Sequence, residues 1–328
     1  MKGIVFDGEE LRVVEGLELR DPGPGEVIVR IANSGVCHSD VSVIDGTIPF
    51  PTPVVLGHEG AGIVEEVGSA VTNVQPGDRV VLSTLGQCGA CPACDGGRPT
   101  MCRSTFGARG TPFTLDGEPH YNFANISSFS ERVVVKANQA ITIPEEVPMP
   151  AASLIGCGVL TGSGAVFNRA KVAPGESVAV VGVGGIGLNV IQAAAISGAN
   201  PIFAIDTNPD KEGLARTFGA THFVNAAEVD TNAAIREVRP FGVDYAFECA
   251  GRGELIQAGF LAARNHGTIV CVGAPPITDS ITLSPAALFV MSEKRLMGTL
   301  LGSCNSLREI PRLIGLYQAG RLDLEALI

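Results

Sequence analysis

No apolar run in the 328-residue sequence approaches the roughly twenty residues that span a bilayer. Apolar residues make up 45% of the chain, yet they fall in short runs between polar and turn residues. The N-terminus, MKGIVFDGEELRVVEG, has acids where a signal peptide needs an apolar stretch. No targeting segment is visible, so a cytoplasmic location and no membrane partner are expected. Basic residues are scarce: 23 Lys and Arg stand against 34 Asp and Glu, a net charge of −11. A nucleic-acid partner would want a basic stripe, so none is expected. There is no internal repeat and no low-complexity tract. These absences leave a folded globular protein long enough for two domains.

What the chain does have is cysteine. Cys88, Cys91, Cys94 and Cys102 follow the spacing C-x2-C-x2-C-x7-C. Four thiolates so close in sequence can converge on one tetrahedral zinc. Such a site is saturated, with no position for a substrate, and reads as structural. Paired disulfides would require an oxidising compartment, which nothing else suggests. An iron–sulfur cluster of the bacterial type would end in Cys-Pro, whereas Arg103 follows Cys102. Unrelated buried thiols are the remaining alternative.

Two regimes follow one another along the chain. In the first half, Val27–Ile31, Gly62–Val67, Arg79–Leu82 and Arg132–Val135 are short β-branched runs separated by Gly/Pro turns. They predict a small barrel or partly open sheet. Residues 105–128 read as a long, irregular surface loop, and about 150–169 as a helix. Beyond Pro174-Gly175, apolar strands (178–181, 202–205, 222–224, 243–247, 268–272) alternate with helical stretches (186–197, 211–218, 233–238, 255–263). That alternation predicts an α/β domain with a parallel sheet.

Gly182-Val183-Gly184-Gly185-Ile186-Gly187 fits G-x-G-x-x-G between a predicted strand and a predicted helix. Asp206 ends the next strand. In this context Gly182 permits a tight turn, Gly184 lets the backbone approach a pyrophosphate, and Gly187 brings the helix close to the sheet. The helix N-terminus offers N–H groups to phosphate. Asp206 can accept both adenosine ribose hydroxyls and would repel a 2′-phosphate, so NAD is expected over NADP. The bland alternative is a glycine-rich turn beside a solvated Asp.

Cys37-His38-Ser39-Asp40, Gly57-His58-Glu59 and Gly156-Cys157-Gly158 stand apart from the four-cysteine cluster. Two thiolates and one imidazole leave zinc a fourth, open position. From spacing alone, His58 could equally be a packed histidine and Cys157 an inert thiol. With these segments, Gly60-Ala61-Gly62 running to Gly68, Pro76-Gly77-Asp78-Arg79-Val80, the cysteine lobe, Gly182–Gly187 and Val272-Gly273-Ala274-Pro275-Pro276, the chain resembles the zinc-dependent alcohol dehydrogenases of the medium-chain dehydrogenase/reductase superfamily.

The resemblance implies a GroES-like catalytic domain over residues 1–157 with a structural zinc lobe at about 88–102. It implies a Rossmann NAD-binding domain over 158–301, and the start of a return to the catalytic domain over 302–328. It implies two zincs per chain: catalytic zinc on Cys37, His58 and Cys157, and structural zinc on Cys88, Cys91, Cys94 and Cys102. Ser39 matches the hydroxyl that hydrogen-bonds the substrate oxygen and takes its proton. Asp40 matches the carboxylate that orients the histidine ligand, and Glu59 a group behind the metal. His38 matches a basic position facing the cofactor pyrophosphate. Thr161 and Ile186 match positions near the nicotinamide, Val272 is a further cofactor-binding position, Gly185 belongs to the glycine motif, and Lys211 matches a ribose contact. Cys249, Cys271 and Cys304 match no ligand and read as buried small residues.

The implied reaction is reversible oxidation of an alcohol to an aldehyde or ketone. Ser42 stands where some members relay the proton through histidine. Glutathione-dependent formaldehyde dehydrogenases share the scaffold and hold a charged thiol adduct with acids before the second ligand and a base beyond the lobe. Here Gly46–Phe50 carries no carboxylate and Phe106 takes the basic position, so a less charged primary alcohol, aliphatic or aromatic, is expected. Polyol enzymes often replace the third ligand with Glu, which Cys157 argues against. A zinc-free, non-catalytic nucleotide-binding relative is the alternative of another class, and the seven retained candidate ligands speak against it. The family continues beyond Ile328 through a helix and strand, so a truncated and less active chain is expected. A homodimer or homotetramer is also expected, through a strand after Val272-Gly273.

Overall fold

The computed structural model describes residues 1–104 and 107–328, which leaves Phe106 outside the described residues. The chain divides into two compact units: residues 1–160 with 304–328, and residues 161–303.

The first unit is built on antiparallel strands. Arg132–Lys136, Glu26–Gly35, Glu59–Val67, Arg79–Leu82 and Ala140–Thr142 form a five-stranded sheet in that order. Alternate residues face a common core containing Val27, Val29, Val64, Val80, Leu82, Val133 and Val135. Glu26–Gly35 and Glu59–Val67 pair so that Gly35 lies opposite Glu59. Register shifts between Ile28 and Val29, and between Ile31 and Asn33, bend the first of these strands. The pairing brings the chain just after Gly35 beside the chain just before Glu59. Cys37 and His58 therefore meet although twenty residues of sequence separate them.

A second sheet joins N-terminal strands to the region expected to be a loop. Phe113–Leu115 and Glu118–Asn122 are strands of a hairpin, and Glu118–Asn122 pairs parallel to Val54–Val55. The turn is Asp116-Gly117, with φ of 53° and 84°. Two positive φ values in a two-residue loop define the type I′ turn that suits hairpin twist, and Asp-Gly is among its preferred sequences. Phe113, Phe123 and Ile126 are buried. The loop reading of this stretch is thus wrong from Phe113 onward.

Residues Met149–Ala170 form one helical run, with π-helical turns at Ile155–Val159 and Ala165–Ala170. The run is 22 residues long and holds an 18-residue window with a mean hydropathy of 1.4, which by length and composition suffices to cross a bilayer. The expectation of no such stretch is corrected here: Ser153, Gly156, Gly158, Thr161 and Ser163 interrupt the apolar pattern in sequence but not the helix. Of its apolar window 72% is buried inside the protein, as in a core helix. Met149–Leu154 packs on Glu26–Gly35 and Glu59–Val67. Ser306–Gln318 packs on the Ile155–Val159 turn and buries Ile310, Leu313 and Ile314.

The second unit is a six-stranded parallel sheet. With its strands numbered along the chain, their order is 3-2-1-4-5-6: His222–Asn225, Ile202–Asp206, Val178–Val181, Val243–Glu248, Ala263–Cys271, Arg295–Gly298. This is the Rossmann order, which reverses direction between strands 1 and 4. Val178–Val181 is buried throughout, as an apolar central strand must be. The segment after Val272-Gly273 holds no strand until Arg295–Gly298, which pairs parallel with Ala263–Cys271 at the sheet edge. The first strand after Val272-Gly273 is thus Arg295–Gly298, with the helix Ala286–Met291 in between. Of the three remaining cysteines only Cys304 is buried; Cys249 and Cys271 are half-buried.

Candidate active site

Cys37 Sγ, a His58 ring nitrogen, a Glu59 carboxylate oxygen and Cys157 Sγ lie within 4.8 Å of one another. Each arrives by a different route. Cys37 caps the short helix His38–Ile44, and its backbone N–H donates to Asp40 Oδ2 at 3.2 Å. His58 and Glu59 sit where the Glu59–Val67 strand begins. Cys157 lies in the π-helical turn, a geometry that recurs at functional sites.

Glycines make these approaches possible. A Cβ at Gly156 would strike the Leu82 carbonyl oxygen, so only glycine lets the helix present Cys157 this close to the sheet. Gly57 has a φ of 88°, and a Cβ there would strike the Phe129 backbone.

Asp40 organises the cluster. It is 2% exposed, and its Oδ1 accepts from Gly57 N at 2.9 Å and lies 3.2 Å from His58 Nδ1. With Nδ1 engaged, Nε2 is the ring nitrogen that a metal would use. Glu59 Oε1 accepts the Gly158 N–H at 3.0 Å, which ties the carboxyl to the turn carrying Cys157. The Phe123 ring stands edge-on to His58, centroids 5.3 Å apart.

Protonation in this pocket is collective. The Cys157 thiol, with help from His58, hydrogen-bonds the Cys37 sulfur and draws its pKa down to about 3 against the cost of burial. Burial opposes charge on His58, but Asp40 and Cys37 raise its pKa to about 10. Cys157 is held well above its ordinary value by Cys37 and by burial. Burial, then the Cys37 thiolate, pushes Glu59 up to about 7. Two soft sulfurs and an imidazole, already sharing protons around one point, are a donor set that fits zinc.

The other four cysteines also converge within 4.8 Å. Cys91 lies 3.6 Å from Cys94, and Cys88 lies 4.0 Å from Cys94, sulfur to sulfur. Cys91 precedes the helical turn Pro92–Asp95, and Cys102 follows the turn Pro99–Met101. Desolvation, then the neighbouring thiols, pushes Cys94 up to about 11, while the Ala90 N–H first among several donors lowers Cys88. Four thiols and no other donor fit a closed structural zinc.

In the second unit, Gly184 caps the helix Gly185–Ile196, and Gly182 has a φ of 90°. A Cβ at Gly187 would strike the Gly182 carbonyl oxygen. A Cβ at Gly184 or Gly185 would meet no protein atom, and both residues are exposed. The open side of this turn fits a pyrophosphate. Asp206 Oδ2 accepts from Val183 N and from Lys211 Nζ, both at 2.8 Å, and Oδ1 accepts from Asn208 N at 3.0 Å. Thr161 is buried, Ile186 half-buried, and the Val272 N–H is taken by the Glu248 carbonyl.

Ser39 Oγ lies 3.7 Å from Cys37 Sγ and is half-buried, whereas His38 is exposed. The sequence reading missed Phe123 and the anchoring of Glu59 by Gly158. The first could have been found from the Asp116-Gly117 hairpin signal; the second left no trace in spacing.

Residues 23–145 match the alcohol dehydrogenase GroES-like domain and residues 185–318 the zinc-binding dehydrogenase domain. An S-(hydroxymethyl)glutathione dehydrogenase of Escherichia coli is 37% identical over 98% of this chain and 89% of its own length. The structure of an alcohol dehydrogenase zinc-binding domain protein from Burkholderia ambifaria is 37% identical, with a TM-score of 0.93 over 99% of this chain and 90% of that one. A benzyl alcohol dehydrogenase from Acinetobacter calcoaceticus is 34% identical, with a TM-score of 0.92 and the same coverage.

Proposed function

The chain belongs to the zinc-dependent medium-chain alcohol dehydrogenases, and we propose that within this family it oxidises primary alcohols with an apolar, aliphatic or aromatic body, using NAD. It is an oxidoreductase of the alcohol dehydrogenase type, with a GroES-like domain, a Rossmann domain and zinc as cofactor. The observation that carries the substrate reading is the aromatic wall beside the metal ligands: Phe123 against His58, and Phe50 against Phe123 with centroids 5.2 Å apart. Likeness to the benzyl alcohol enzyme supports it.

When bound, zinc supplies Lewis acidity and NAD a hydride acceptor. Cys37, His58 and Cys157 hold the metal, and Asp40 fixes the ring of His58. Ser39, beside Cys37 Sγ, takes the proton of the alcohol. Glu59 sets the charge behind the metal. Gly182, Gly184, Gly185 and Gly187 cradle the pyrophosphate, with His38 as a further contact to it. Asp206, steadied by Lys211, holds the adenosine ribose, Thr161 and Ile186 border the nicotinamide, and Val272 is a further cofactor contact. The domains run over about 1–157, 158–301 and 302–328.

A panel of primary alcohols with NAD and NADP, run beside zinc quantification, tests this. Alcohol-dependent NADH formation by a chain carrying two zincs is expected. A chain that reduces only NADP would refute the role given to Asp206. The curated relatives favour a second reading, S-(hydroxymethyl)glutathione as substrate; glutathione-dependent oxidation of formaldehyde faster than that of benzyl alcohol would establish it.

The protein acts in the cytoplasm as a homodimer or homotetramer. Ile277, Ile281, Val290 and Met291 are exposed apolar residues in the segment leading to Arg295–Gly298, the edge strand of the parallel sheet. An apolar patch next to an open strand edge supports self-association, and light scattering measures it.

A further inference from the structure

The backbone behind the aromatic wall is strained. Directly after Phe123, Ala124, Asn125 and Ser127 have φ of 51°, 60° and 64°. Asn takes this left-handed region readily; Ala and Ser do not. Such conformations persist where the surrounding contacts enforce them, and they gather at functional sites.

Here the enforcing contacts converge on one hydroxyl. Ser127 is fully buried, and its Oγ accepts the Phe123 N–H at 2.9 Å and donates to the Val55 carbonyl at 2.7 Å. The carbonyl of Ser127 accepts in turn from Ser130 Oγ at 2.9 Å. The next two residues continue the seam: Ser128 N donates to the Gly57 carbonyl and Phe129 N to the Leu56 carbonyl, both at 3.0 Å. The successive carbonyls of Val55, Leu56 and Gly57 are thus all taken by residues 127–129. The residue that follows Gly57 is His58, whose ring the Phe123 ring meets edge-on. Phe123 and His58 therefore lie at the two ends of one clamp. Its centre must donate and accept through a single atom on a short side chain, which a hydroxyl does and a methyl group does not.

We propose that Ser127 is a positioning residue: its hydroxyl ties the backbone of Phe123 to the segment leading into His58 and so fixes the Phe123 ring against that imidazole. Being fully buried, it acts through Phe123 and not on the alcohol. This deepens the proposed function and rests on its placing of the apolar body beside Phe123.

Two substitutions separate position from stability. Ser127→Gly removes the hydroxyl but accepts a φ of 64° freely; Ser127→Thr keeps the hydroxyl but strains a β-branched side chain there. Both should melt below the parent, so a merely structural role would impair both alike. Positioning predicts that the kcat/KM ratio of benzyl alcohol to ethanol falls about fivefold, through KM, in Ser127→Gly and is kept in Ser127→Thr. If Ser127→Thr does not fold, Ala124→Gly takes its place, since it relaxes the same turn and leaves the clamp whole.

The contact is also read without turnover. Ring-current shifts of the His58 imidazole protons, followed by NMR in zinc-loaded protein without alcohol, should change in Ser127→Gly and persist in the hydroxyl-bearing variant. Shifts that Ser127→Gly leaves in place overturn the proposal, as does a benzyl-to-ethanol ratio lost equally with and without the hydroxyl. Changed shifts with an unchanged ratio, or with no alcohol oxidised at all, fall on the proposed function and leave the placing of the ring by Ser127 standing.

Discussion

The two cysteine-rich clusters are alike in ligand chemistry and opposite in construction. The lobe draws Cys88, Cys91, Cys94 and Cys102 from fifteen consecutive residues, and Cys88 remains exposed. Two short turns suffice to aim its thiols. The other cluster collects residues 37, 58 and 157, buries His58 to 3% exposure, and rests on a strand pairing, a π-helical turn and glycine contacts. Around it Asp40 meets His58 and the Gly158 N–H holds Glu59, so side chains from distant parts of the sequence tune the cluster, whereas the donors to Cys88 and Cys94 come from within the lobe itself. A saturated site needs only enough donors; a reactive one needs each donor held at a chosen angle and charge.

The largest expected effect that separates the clusters is Cys157→Ser. It should cut alcohol oxidation by on the order of 10³ and lower zinc content from about two to about one per chain, with the lobe still loaded. Loss of both zincs in mass spectrometric metal analysis would erase the distinction. Next comes Ser39→Ala, which should reduce turnover by about 10² with both zincs retained; an unchanged rate would remove Ser39 from the reaction. Asp40→Asn should weaken the catalytic metal by about 10- to 100-fold in a chelator competition and leave the lobe's affinity alone.

The most gradual effect is that of pH on loading of the proposed catalytic site. The folded pKa of His58 is raised to about 10, so its contact with Asp40 and Cys37 stabilises the metal-free protein fully below about 6.5 and is lost as pH rises through 10. Zinc must expel that proton and the one kept on Cys157. Apparent zinc affinity should therefore climb about tenfold or more per pH unit between pH 6 and 8. Titration with a zinc indicator measures this slope; a flat profile would show the site already deprotonated.

The contrast also explains what could be read from sequence. The lobe was legible because its ligands are neighbours in the chain. The parallel sheet was legible because Val178–Val181 and Ile202–Asp206 are apolar on both faces and Gly182–Gly187 marks the turn between strand and helix. The proposed catalytic trio was recognisable only through family resemblance, since nothing in the spacing of 37, 58 and 157 announces that Gly35 pairs with Glu59. The hairpin at 113–122 was missed for a different reason. Its strands carry Pro119, His120 and Asn122, which hide the alternation, although Asp116-Gly117 named the turn. With that hairpin went Phe123, and so the aromatic wall.

The sequence separation of the two ligand sets has a consequence for synthesis. A chain emerging from the ribosome has every lobe ligand at hand once residue 102 is free, long before the Rossmann unit exists. On the proposed ligand set, the reactive metal is seated only after Cys157 has followed and the Glu26–Gly35 and Glu59–Val67 strands have paired. Incomplete products can thus carry the inert ion without the reactive one, and zinc stoichiometry becomes a clock for how far a nascent molecule has matured.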